Sequence, residues 1–147
     1  MEDRYLFKAK IKENNNTGYK ELDWIIGNLV VEQSTGRHFI IDLSHFDENT
    51  KLCDVMIEVD PSTICQCTGL KDKNGNLIWE NDIVAYWDSY STENGLAEAD
   101  CIGKVVWDDE TISFQVTNRL SAESYEVLGD ECSVIGNVFD NPELLEV

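Results

Sequence analysis

The sequence predicts an all-β protein, mainly strands with minor short helix, and three observations carry that prediction. Apolar and polar residues alternate with a period of two nearly throughout, the signature of strands with one buried face. Turn chemistry, above all Asn74-Gly75, separates the alternating runs. No long segment shows the 3.6-residue period of an amphipathic helix. The 147 residues, 42% hydrophobic and 27% charged with two prolines, have a globular composition. A chain of this length buries roughly two-thirds of its unfolded surface.

Taken in order, Tyr5, Phe7, Ala9 and Ile11 alternate with Leu6, Lys8, Lys10 and Lys12 and predict a half-buried strand. Residues 13–18 (Glu-Asn-Asn-Asn-Thr-Gly) are a loop by composition. Trp24–Val31 is a strand, in which Gly27 marks a bulge or a close approach of backbone. Gln33-Ser34-Thr35-Gly36 turns it into a second strand, His38–Leu43, so the two form a hairpin. After a polar stretch, Ser44–Asn49, comes Val55–Val59, stopped by Asp60-Pro61. Asn74-Gly75 predicts a tight type I′ hairpin turn, because both residues tolerate positive φ. Glu80-Asn81-Asp82 is a second turn, leading to a strand at Ile83–Trp87. Asp88–Asp100 reads as a long acidic loop. Strands follow at Cys101–Trp107, Thr111–Val116 and Ser133–Phe139, with a turn at Asp108-Asp109-Glu110. Ala122–Leu128 has room for a turn or two of helix at most. In the tail, Asn141 caps a helical turn that Pro142 opens and Glu143 favours.

Charge is the strongest compositional feature. Twenty-nine acids against 11 bases give a formal charge of -18. Residues 1–37 are balanced, six acids to six bases, whereas residues 38–147 hold 23 acids and five bases. Such a surface repels phosphate, so direct nucleic-acid binding and binding to an anionic bilayer are both disfavoured. The charge fits three readings: solubility, a docking face for a basic partner protein, or imitation of DNA by carboxylates standing in for phosphates. No apolar run approaches the roughly 18 residues of a membrane span, and the opening Met1-Glu2-Asp3-Arg4 carries no signal-peptide pattern. A cytoplasm is the expected location.

Candidate chemistry is sparse. Cys53, Cys65, Cys67, Cys101 and Cys132 are odd in number and scattered, which argues against a disulfide framework. Cys65 and Cys67 share one strand face, but no second pair completes a zinc site, so they read as small buried hydrophobes. His38 and His45, with Asp42 and Asp47, are a weak metal constellation whose spacing fixes no geometry. Asp72-Lys73-Asn74-Gly75-Asn76 begins like a calcium loop, then fails where Leu77 stands for glycine and Ile83 for the bidentate glutamate. Trp24, Trp79, Trp87 and Trp107 lie on strand patterns and read as core. Asp82, Asp88, Asp108 and Asp109 fall near strand ends, where a divalent ion would be held in a metal-dependent hydrolase. Asp130 and Glu131 are a further adjacent pair, uninformative in so acidic a chain. No catalytic, cofactor-binding or metal-binding residue is assigned, and no cofactor is expected.

One ordered run of residues carries a family resemblance. Thr68-Gly69-Leu70-x-Asp72-x-x-Gly75, Ile78-x-Glu80-x-Asp82-Ile83-Val84, Gly103-x-Val105-x-Trp107 and Val134-Ile135-Gly136-Asn137-Val138-x-x-Asn141-Pro142-Glu143-Leu144-Leu145 resemble the YopX family of phage and prophage proteins. Trp24-x-x-Gly27-x-Leu29 and Asp60-Pro61-x-Thr63 fit its N-terminal part. Cys67 departs from an aromatic expected before Thr-Gly, and Asn81 from a glycine expected before Asp82-Ile83-Val84. The resemblance implies a mainly β protein encoded by a phage or prophage and present in the bacterial host cytoplasm, and it supplies no reaction.

The middle of the chain is also similar to a small SH3-like barrel. The expected organisation is thus an N-terminal β subdomain, 1–63, packed with an SH3-like C-terminal part, 64–147, as one compact unit. The leading functional expectation is a non-enzymatic accessory protein acting through protein–protein contact with a partner not identified by the sequence. A DNA mimic that blocks a DNA-binding protein and a metal-dependent hydrolase acting on nucleic acid or nucleotide are the alternatives. Edge pairing between copies leaves homo-oligomers open.

Overall fold

The computed structural model describes residues 2–12, 24–42, 44, 47–118, 124–126 and 129–146. The loop expected at 13–18, together with Leu43, His45 and Phe46, lies outside the described residues. The protein is mainly antiparallel β, as its two-residue alternation predicts. It divides into two compact units, Met1–Cys67 and Thr68–Val147, with the division inside a strand. Among the described residues, no helix is long and apolar enough to cross a membrane.

In the first unit, β1 (Phe7–Lys10), β2 (Trp24–Val31), β3 (His38–Ile41) and β4 (Met56–Glu58) run antiparallel in the order β4-β3-β2-β1. The pairs Ala9↔Ile25, Leu29↔Ile40 and Ile40↔Ile57 put one apolar residue per strand on a common face. Ala9, Ile11, Ile25, Ile40, Ile57 and Val59 are buried there, with Phe7, Leu29 and Ile64 packed on the rim. Each of the buried isoleucines contributes about 1.5–3 kcal/mol. The predicted β2–β3 hairpin is present, and Gly27 does mark a close approach. A Cβ there would fall onto the Ile41 carbonyl oxygen.

Two local expectations fail in this unit. Tyr5 is exposed, because Glu2–Tyr5 forms a 3-10 turn before β1 starts. Leu52–Val55 is a single helical turn, α1, so of the predicted 55–59 strand Met56–Glu58 forms β4, with Val59 adding a single bridge to Ile11. Asp60 then caps the 3-10 turn Pro61–Thr63, accepting from the Ser62 amide at 3.0 Å.

β5 (Cys65–Lys71) pairs with β1 through Cys65 and Gln66. Its later residues enter the second unit and lie beside β6 (Leu77–Trp79), where the Thr68 hydroxyl donates to the Ile78 carbonyl at 2.7 Å. The hairpin at Asn74-Gly75 is therefore real, but its turn is not type I′. Only Gly75 has positive φ, at 82°. The Gly75 amide donates to the Asp72 carbonyl and the Asp72 amide to the Asn76 carbonyl, at 3.0 and 2.8 Å. That is a three-residue loop closed by a left-handed glycine. The Asp72 carboxylate selects it by gathering the Asn74 and Asn76 amides at 2.9 and 2.8 Å.

The rest of the second unit is a five-stranded sheet, β10-β9-β8-β7-β11, of β7 (Asp82–Thr92), β8 (Gly95–Asp108), β9 (Ser113–Asn118), β10 (Ser124–Glu126) and β11 (Cys132–Asn137). Val84, Val105, Val116 and Cys132 share its inner face with Ile78, flanked by Tyr86, Phe114 and Val134. Among the described residues no pair joins β10 to β11, so the sheet is open where an SH3-like barrel would close. Asp88–Asp100 is not a loop. It is the outer part of the β7–β8 hairpin, paired from Trp87↔Asp100 to Thr92↔Gly95. Thr111 and Ile112 belong to the turn before β9, and Ser124–Glu126, within the stretch allotted to helix, pairs with β9 as a strand. The C-terminal 3-10 turn Pro142–Leu145 forms as predicted, but Asn141 does not cap it. The Asn141 side chain reaches back to accept from the Asn137 amide at 3.3 Å, filling the space where Gly136 lacks a Cβ.

Candidate interaction surface

β7 outlasts its neighbour β11, which pairs with it only over Asp82–Tyr86. β8 likewise outlasts β9, which pairs with Gly103–Asp108. Residues 87–102 are therefore a two-stranded arm, and among the described residues neither outer edge of it is paired. The chain forms it because Leu96, Glu98, Asp100 and Ile102 alternate with Ala97, Ala99 and Cys101, a strand pattern with small residues on one side. At the tip, Glu93-Asn94 links Thr92 to Gly95, whose φ is 113°. The Thr92 hydroxyl donates to the Gly95 carbonyl at 2.8 Å and accepts from the Asn94 amide at 3.3 Å.

The two faces of the arm differ. Ala97, Ala99 and Cys101 are half-buried, whereas Leu96, Glu98 and Asp100 are exposed. Trp87 pairs with Asp100 on that exposed face and is 58% exposed, and Leu96 is 78% exposed. The arm holds four acids, Asp88, Glu93, Glu98 and Asp100, and no base. Burial pushes the Cys101 thiol above its ordinary pKa, and the charges of Asp88 and Asp100 push it further. It is thus held as thiol, not as the thiolate a nucleophile needs. Cys132 is raised in the same way, by burial and then by Asp72, Asp130 and Asp82.

At the other end of the sheet, Trp107 meets Phe114 edge-on with ring centroids 5.0 Å apart. Its indole N–H donates to Asp109 at 2.9 Å, and the ring is 43% exposed. Beside it Ile112 is 75% exposed with φ of 53°. Trp87 and Trp107 are therefore not core. Trp79 is buried, and Trp24 is half-buried with the Lys8 and Lys10 ammonium groups 4.8 and 5.5 Å from its ring centre.

The structure does not bring the candidate metal carboxylates together. Asp82 is buried and accepts from the Trp79 amide at 2.8 Å. Asp108 is turned onto the Glu110 amide, Asp109 onto the Trp107 indole, and Asp88 sits on the arm opposite Ala99. Among the described residues no three His, Cys, Asp or Glu side chains could hold one ion. Asp42 accepts from the Ser44 amide and hydroxyl. It lines a cavity of about 450 Å³ with Leu6, Trp24, Ile26 and Gly27. Asp47 closes its own turn, and the Asn49 amide followed by the Thr50 hydroxyl lowers its pKa. His45 lies outside the described residues. Cys65 and Cys67 are buried on β5, as small hydrophobes are, and Asp130 and Glu131 are exposed in the 3-10 turn Gly129–Glu131.

The calcium-like segment serves the fold instead. Asp72 is buried, with its second carboxylate oxygen accepting from the Val134 amide at 2.9 Å. Burial pushes its pKa up, but the amides of Val134, Asn76 and Asn74 outweigh that and hold it below the ordinary aspartate value.

These features define a mainly antiparallel β protein with an exposed acidic arm. The chain belongs to the family described as YopX protein, whose model matches residues 6–146, nearly its whole length. No curated protein matches it. The glycine that the family resemblance places before Asp82 is replaced here by Asn81, which has φ of 69°. After glycine, asparagine is among the residues that best tolerate this left-handed conformation, so the replacement keeps the turn.

Proposed function

We propose that this YopX protein is a non-enzymatic accessory protein of a phage or prophage that works by contact with another protein in the bacterial cytoplasm. The observation that carries the reading is the β7–β8 arm. It projects Trp87 and Leu96 into solvent beside strand edges that no described residue pairs, which costs solubility unless a partner covers them.

Affinity capture with the tagged full chain from a bacterial host, followed by reconstitution with the purified partner, tests this reading. A stoichiometric protein complex is expected. Turnover of nucleotide, nucleic acid or peptide that requires Mg²⁺ or Mn²⁺, and is lost on one substitution at Asp82, Asp88, Asp108 or Asp109, would overturn it.

A second reading, imitation of DNA, is favoured by the charge of residues 68–147, which hold 17 acids and four bases. It is a special case in which the partner is a basic DNA-binding protein. Duplex DNA then competes for the partner, and salt weakens the complex. A complex indifferent to both removes the mimic and leaves the broader reading in place.

A further inference from the structure

We propose that the edge of β8 over residues 95–102, which no described residue pairs, accepts an extended segment of a partner protein as an added strand, and that this segment carries two basic side chains two residues apart, flanked by apolar ones. The inference rests on the protein-contact reading and specifies its site and its chemistry.

An added strand would lay its side chains beside those of β8. On the face that carries the exposed Leu96, Glu98 and Asp100, β8 continues to a half-buried Ile102, so apolar residues stand outside and acids inside. The matching pattern on the partner is apolar-x-basic-x-basic-x-apolar, since opposite charges and paired apolar groups are the favourable cross-strand neighbours. That pattern reads the same in both directions, so parallel and antiparallel addition are equally served. On the other face β8 offers Gly95, Ala97, Ala99 and Cys101, small groups that admit a wide range of residues at the x positions.

Charge selects the occupant. Glu98 and Asp100 have no ion-pair partner among the described residues. A second copy of this chain would set acid against acid, and each copy carries -18 overall. A basic strand meets neither objection.

The test uses the full chain and a labelled heptapeptide, Val-Thr-Arg-Thr-Arg-Thr-Val, at low ionic strength. Saturable binding is expected, with slowed exchange of backbone amides on β8 at 95–102. Neutralising both acids (Glu98→Gln with Asp100→Asn) should weaken binding roughly tenfold, from two lost cross-strand pairs. Leu96→Ser should weaken it about threefold. All three side chains are exposed, so the variants remain folded. Neutralising two distant acids (Glu110→Gln with Glu143→Gln) should leave binding unchanged. A peptide of equal charge with proline at its centre should bind at least about tenfold more weakly, having lost a strand hydrogen-bond donor.

Three results would each overturn the proposal: no saturable binding, equal binding of the proline peptide, or protection confined to residues outside 95–102. Partner capture separates this failure from failure of the broader reading. A captured partner that reconstitutes equally well with Leu96→Ser and with the Glu98/Asp100 double variant removes the β8 edge alone. Metal-dependent turnover with no partner removes the contact reading itself.

Discussion

Asp72→Asn tests whether the central turn is held by a carboxylate or merely decorated by one. In the native protein one oxygen accepts the Asn74 and Asn76 amides, and the other accepts the Val134 amide from β11. Asparagine keeps one carbonyl oxygen, which serves the first pair. Its amino group then faces the Val134 N–H, donor against donor, in a buried setting. Losing a charge-assisted bond and stranding its donor costs about 2–3 kcal/mol. At this chain length that corresponds to a fall in Tm of about 5–10 °C.

The pH dependence is equally specific. Asp72 has a folded pKa below its unfolded value. Its stabilisation is therefore fully present above the unfolded pKa, about 3.9, and is lost as pH falls through the folded value. Urea unfolding of both proteins from pH 7 to pH 2.5 should show a constant gap above about pH 5 that closes below about pH 4. A variant within about 0.5 kcal/mol of the parent at pH 7, or a gap that persists unchanged at low pH, would refute the account.

Other substitutions probe the remaining features. Ile112→Gly should raise stability by about 0.5–1 kcal/mol in urea unfolding, because a β-branched residue at φ of 53° is strained and its exposed side chain buries little. Gly27→Ala should lower Tm by several degrees in thermal unfolding, since its Cβ meets the Ile41 carbonyl. Arg37→Ala should raise the Glu58 pKa in a carboxyl NMR titration. The Arg37 hydrogen bond at 2.9 Å is the largest cause holding that pKa down against burial, and Lys12 alone remains at 3.4 Å.

What the sequence made legible follows the strength of its local signals. The β2–β3 hairpin and the Gly27 contact were readable because alternation and turn composition agree there. The Asn74-Gly75 hairpin was readable but its turn type was not. A type I′ assignment considers only backbone φ, whereas Asp72 competes through side-chain hydrogen bonds that favour another geometry.

The arm was hidden by composition. Serines, acids and alanines resemble a loop even though they alternate, although Asn94-Gly95 at the tip, the same dipeptide as at 74–75, is itself a hairpin signal. Trp87 and Trp107 read as core from strand pattern and aromatic size, neither of which says how far a sheet face is covered. Ser124–Glu126 became a strand because β9 offered it an edge, a tertiary influence that no window over residues 122–128 contains.

The same acids that would receive a basic strand also answer a hazard of the arm. A two-stranded ribbon is marginal alone, and its edges are templates for pairing with another copy. Leu96 and Ile102 would favour such pairing, and Glu98 and Asp100 between them oppose it on both partners at once. Neutralising the two acids should therefore promote self-association even where it weakens capture of the basic peptide. Sedimentation equilibrium across a hundredfold concentration range should show the Glu98→Gln with Asp100→Asn variant associating at least about tenfold more tightly than the parent, since two like-charge oppositions are removed. High salt should move the parent toward the variant, because exposed charges are screened. Unchanged association in the variant and no response to salt would mean that something other than charge guards this edge, and the charge argument for choosing a basic partner over a second copy would fall with it.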